Sequence, residues 1–182
     1  LTDPVDEFLT DSMREFGEKQ LKSVGRGNVE LGSEEERKQA EEELEKQKEE
    51  YASLLEAMRA WLDEEVKEVR PSNRLTSSAA CLVGEEGDLS PAMERLFAAA
   101  GQSMPKSKRI LEVNPKHELL TLMHHMYEAD RADERLKGYT NLLYGQALLA
   151  EGSPLPDPAA FSKQVAELMV RAADSDRAAP AS

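Results

Sequence analysis

Residues 72–102 read SNRLTSSAACLVGEEGDLSPAMERLFAAAGQ, and the order of elements in this stretch decides the fold. SAACLV (78–83) is a short run suited to a strand, GEEG (84–87) is a turn, and Ser90-Pro91 opens a helix over 90–100. Two further β-prone runs flank it, VKEVRP (66–71) and SKRILEV (107–113). The order β-β-α-β predicts a small three-stranded sheet with helices on it, an α+β unit that is predominantly helical. The short helix raises a question of its own. Leu89 stands just before it, and Met93, Leu96 and Phe97 lie on it, a large apolar load for so acidic a chain. These side chains either plug a core or are held out for another protein. Leu96 and Phe97 point about 100° apart, so one can be buried while the other is offered.

On the N-terminal side, Ser33-Glu-Glu-Glu36 is a capping box that starts a helix running to about Glu65. Its first half is nearly all charge. Its second half carries Tyr51, Leu55, Met58 and Leu62, with Leu54 and Trp61 beside them. This pattern predicts a solvated arm docked only at its C-terminal half, since a coiled coil needs about three sustained heptads. Residues 2–16 have a helical pattern through Val5, Phe8, Leu9, Met13 and Phe16, with Asp3-Pro4 as a start signal. The β-prone runs QLKSV (20–24) and NVEL (28–31) follow. Residues 1–31 are too few to bury a core and are expected to end a preceding domain. Residues 32–173 are then the main domain, and 174–182 a flexible tail.

Beyond Pro115 the pattern is helical, over 115–129, 131–151 and 157–173. Asp157-Pro158 is an N-cap followed by a favoured first residue. The last two helices flank the stop Gly152-Ser-Pro-Leu-Pro and form an αα-hairpin. One stripe holds Leu136, Tyr139, Leu142, Leu143 and Ala147; the other holds Phe161, Val165, Leu168 and Met169. Two such hairpins about a two-fold axis make a four-helix bundle, so these nine residues are expected at a homodimer interface. The alternative is a hairpin folded back on its own sheet.

A net charge of −13 argues against a sequence-independent grip on nucleic acid. No run of about 18 apolar residues is present, so no membrane-spanning helix is expected. The single Cys81 fits a reducing compartment, and a cytoplasmic location is expected. The chain starts with Leu, which predicts a piece of something longer. It lacks a Gly-rich phosphate loop, CxxC, HExxH and GxSxG, so no catalytic residue is nominated. His124 and His125 are adjacent and diverge on a helix, and with His117 they read as partly exposed helix residues rather than metal ligands. Cys81 reads as a structural thiol.

The runs SNRLTSSAACLV, MERLFAAAGQ, KRILEVNPKH and LLYGQALLAEGSPLPDP, in that order, resemble the ninety-kilodalton heat-shock chaperone family, nearest its bacterial branch. The opening LTDPVDEFLTDSMREFGEKQLKSV resembles the end of that family's middle domain. The resemblance implies an ATP-dependent chaperone whose ATP and Mg site lies outside this chain, so no cofactor is expected here. It implies a C-terminal homodimerisation domain and an exposed amphipathic helix that touches unfolded client proteins, with Leu89, Met93, Leu96 and Phe97 at its apolar positions. The chain ends RAAPAS, without the acidic tail by which eukaryotic members recruit tetratricopeptide co-chaperones, so that partner is not expected. Two other readings stand beside it: a stand-alone helical scaffold working through a coiled coil, and a small enzyme without a recognisable motif.

Overall fold

The computed structural model describes residues 13, 15–17, 19–20, 34–85, 88–89, 91–101 and 107–178. A two-stranded antiparallel hairpin, β1 (Glu15–Phe16) and β2 (Lys19–Gln20), comes first. Gly17 sits in its turn at φ +53°, a backbone conformation that suits glycine. Then follow α1 (Glu34–Trp61), β3 (Val66–Pro71), β4 (Ala80–Val83), α2 (Pro91–Ala99), β5 (Arg109–Val113), α3 (Glu118–Ala129), α4 (Glu134–Glu151) and α5 (Pro158–Ala178).

The order β-β-α-β is present as expected, and β5 is the central strand. It pairs parallel with β3, Val69 facing Leu111, and antiparallel with β4, Leu82 facing Leu111. Strand alternation sends Arg109, Leu111 and Val113 to one face and Ile110 and Glu112 to the other. Leu111 and Val113 join Val66, Val69 and Leu82 in the core. α1 packs on β3 and α4 on β4, with α3 against both helices. Leu54, Met58, Leu120, Met123, Leu136 and Leu143 complete a core that is mostly aliphatic, as the scarcity of aromatic residues requires.

The first half of α1 is largely in solvent, and burial begins at Tyr51. The Tyr51 hydroxyl donates to the Pro115 carbonyl at 3.3 Å, and its ring stacks on His124 at 4.4 Å. The helix is therefore an arm docked by its C-terminal half. It stops at Trp61 instead of Glu65, because Leu62 turns the chain: the Leu62 carbonyl accepts from the amides of Glu65 and Val66, which starts β3.

Four other expectations shift at their ends. Glu15–Phe16 is a strand closed by Gly17, where the pattern predicted the last turn of a helix; that helix over 2–12, Ser33 and 28–31 lie outside the described residues. α3 begins at Glu118 because the His117 ring caps it, accepting from the Leu119 amide at 3.1 Å. α4 begins at Glu134 because Asp133 does the same for the Arg135 amide at 3.0 Å. α5 runs on to Ala178, through five residues expected to be tail; residues 179–182 lie outside the described residues.

Candidate functional site

Asp88 sets up α2. Its carboxylate accepts from the Ser107 hydroxyl and the Glu85 amide, both at 2.7 Å. The Ser107 hydrogen bond holds its carboxyl below the usual range. Among the described residues α2 comes close to no other helix or strand over a long stretch of backbone. Leu96 is 49% exposed, whereas Leu89, Met93 and Phe97 are half-buried. The four candidates therefore divide: one side chain stands in solvent and three lie partly against the body. Polar bonds hold the helix in place. Arg109 Nη2 donates to Glu94 Oε2 at 2.8 Å, and Arg95 Nη1 to the Gly152 carbonyl at 3.0 Å.

The hairpin departs further from expectation. Leu136, Leu143 and Ala147 are sealed inside the single chain, and Leu142 is buried too. The α4 stripe lies on the chain's own sheet, so these side chains have almost no surface left to give a partner. Periodicity marks a stripe as apolar and does not say what covers it. Tyr139 is half-buried. α5 turns Phe161, Val165 and Leu168 partly inward. The approach of the two helices is close enough that a Cβ on Gly145 would lie 2.5 Å from the Phe161 ring. Asp157 caps α5 as predicted, accepting from the Ala160 amide at 2.9 Å. Met169 is 68% exposed, and its neighbour Val170 is 62% exposed. Leu149 on α4 is 53% exposed.

No group of three or more His, Cys, Asp or Glu able to hold a metal occurs among the described residues. His117 caps a helix and His124 stacks on Tyr51, which gives both a structural use. Burial, then the facing Glu112 carboxylate, pushes the Cys81 thiol up, away from the range of a reactive thiolate. A cleft of about 410 Å³ lies between the end of α1 and the hairpin, beside Trp61, Tyr144 and Phe161. The Tyr144 hydroxyl donates to Glu65 at 3.1 Å; its burial first, and that carboxylate next, raise its pKa. Cleft and thiol supply no nucleophile–base pair. No described helix is long and apolar enough to cross a membrane.

The family model for Hsp90 protein matches residues 1–182. The chain belongs to the Hsp90 family. It is 49% identical over 170 residues to Chaperone protein HtpG of Geobacter sulfurreducens, covering 93% of this chain and 26% of that protein. It is 46% identical to Chaperone protein HtpG of Frankia casuarinae over 172 residues, 94% of this chain and 26% of the relative. The Rhodococcus jostii HtpG is 46% identical over 171 residues, 94% and 27% respectively. The chain thus spans about a quarter of the length of the curated relatives it matches.

Two groups escaped sequence reasoning in this Hsp90-family chain. The exposed Val170 stands off the stripe that periodicity picks out on α5, and the exposure of Leu149, seven residues on from Leu142, has no local mark. The ion cluster of Arg109, Glu94 and Glu151 joins a strand to two helices, and no local spacing announces it.

Proposed function

We propose that this chain is the C-terminal homodimerisation and client-contact module of an ATP-dependent chaperone. In this reading ATP and Mg bind elsewhere in the longer protein, and the chain itself binds and hydrolyses no nucleotide. One observation carries the proposal. Among the described residues the exposed large apolar side chains are Leu96, Leu122, Leu149, Met169 and Val170. Leu122 aside, they fall on α2 and on the hairpin, the two elements that the family likeness assigns to clients and to dimerisation. Exposed apolar groups on an otherwise charged surface mark contact sites. Beside Leu96, the half-buried Met93 supplies a soft, adaptable side chain suited to unrelated partners. On the hairpin, Leu149, Met169 and Val170 offer uncovered apolar surface to the two-fold contact, with Phe161, Val165 and Leu168 beside them on the inner face of α5.

The test of the client reading is Leu96→Gln with Met93→Gln, introduced into the longer chaperone. The expected result is weaker suppression of aggregation of an unfolded client. Unchanged suppression would overturn the assignment of α2.

A further inference from the structure

We infer that Arg109 is a positioning residue that latches α2 to the turn of the α4–α5 hairpin, so that the two binding elements are energetically linked. The inference rests on the reading of α2 and the hairpin given above and adds a coupling between them.

Arg109 opens β5 and points to the helix-packed face of the sheet. Its side chain is only 10% exposed. The guanidinium reaches in two directions. Nη2 meets Glu94 Oε2 on α2 at 2.8 Å, and Nε meets Glu151 Oε1, on the last residue of α4, at 3.0 Å. Nη1 lies 3.5 Å from the Leu89 carbonyl, at the entry to α2. Ser153 donates to the other oxygen of Glu151 at 2.7 Å, which fixes that carboxylate from the turn side. Arg95 adds a second strap, from α2 to the Gly152 carbonyl. Gly152 is the left-handed cap of α4, at φ 81°, where the chain turns toward α5.

Three physical points make this arrangement a link. The guanidinium is a rigid planar fork, so the partner that fixes one edge also fixes the direction of the other. Charge-assisted bonds withdrawn from water are stronger than exposed ones. And among the described residues α2 makes few backbone-level contacts with other helices or strands, so these bonds carry much of its attachment beside the half-buried Leu89, Met93 and Phe97. A movement at the α4–α5 turn shifts Glu151 and Gly152, and through Arg109 and Arg95 it shifts α2. By linkage, a load on α2 acts back on the turn to the same degree.

Amide hydrogen exchange on the intact chain tests the latch. Arg109→Gln is expected to speed exchange over residues 91–99 about tenfold, with the β5 amides far less affected. Glu94→Gln is expected to do the same and to add nothing to Arg109→Gln. The decisive variant is Glu151→Gln. Its carboxylate reaches α2 through the guanidinium, so it should speed α2 exchange about threefold in the parent and have no effect in Arg109→Gln. If Arg109→Gln does not fold, Glu94→Gln combined with Glu151→Gln decides: the latch predicts that the double variant exchanges no faster than Glu94→Gln alone. Uniform acceleration across the chain, no effect of Glu151→Gln on α2, or simple additivity would each overturn the inference. These readouts involve no client, so a failed client assay and a failed latch are told apart.

Discussion

β5 carries two charged side chains under cover, and they are built with opposite signs. Near one end, Arg109 is gripped by two carboxylates, Glu94 and Glu151. Near the other, Glu112 is gripped by two arginines, Arg70 and Arg74, each at 2.8 Å, and by the Ser72 hydroxyl at 2.9 Å. The difference lies in where the partners come from. Those of Glu112 sit on β3 and the loop just after it, so that cluster ties strand to neighbouring strand. Those of Arg109 sit on two separate helices, so that cluster ties two helices to the sheet. The same chemistry locks a sheet in one place and joins two helices to it in the other.

The comparison breaks most sharply at Glu112. Glu112→Ala leaves two partly buried arginines without their carboxylate, and the chain should lose about 3 kcal/mol, read as a lower denaturant midpoint. A midpoint as high as the parent's would show that the cluster is a surface ornament. Next comes the hairpin that the Arg109 cluster holds. Gly145→Ala drives a methyl into the Phe161 ring, and overpacking outweighs the gain in helix propensity, for a net loss of about 1 kcal/mol. Adding Phe161→Leu should recover part of it. If Gly145→Ala is stabilising, α4 and α5 are not in the close contact described.

Leu96→Gln should move the midpoint by no more than about 0.5 kcal/mol, because half of the side chain is already in water. A large loss would make Leu96 a core residue. The smallest effect is a rate. Glu112 is one of the groups that raise the Cys81 thiol, so Glu112→Gln removes that charge and should lower its pKa. At pH 8 the variant should hold more thiolate and be alkylated faster than the parent; a slower reaction would contradict the opposed pairing of Cys81 and Glu112.

What could be read beforehand follows from the range of each interaction. Strand runs, caps and stripes are local: VKEVRP is β3 to the residue, and Asp157-Pro158 starts α5. The choice of which face of α4 is covered by its own sheet is a long-range matter, and Leu136, Leu143 and Ala147 carry no mark that distinguishes core from interface. Helix ends fell in between. His117 as a cap was not expected, because histidine is a rare cap and only its placement beside the Leu119 amide reveals the role. The α2 site was half legible. Its four apolar residues were named, but the backbone alone decides that Leu96 faces out while Met93 and Phe97 lie half-covered. The two ion clusters were illegible, since their members meet only when the sheet has formed.

The central claim is that the uncovered apolar residues of the hairpin join two copies of this chain, and its mass in solution tests that most directly. Sedimentation equilibrium should give twice the chain mass of 20.2 kDa for the parent, and the single mass for Met169→Glu combined with Val170→Asp. Both side chains stand mostly in solvent in the single chain, so the double variant should still fold. A parent that sediments as a monomer, or a double variant that keeps the doubled mass, would contradict the account.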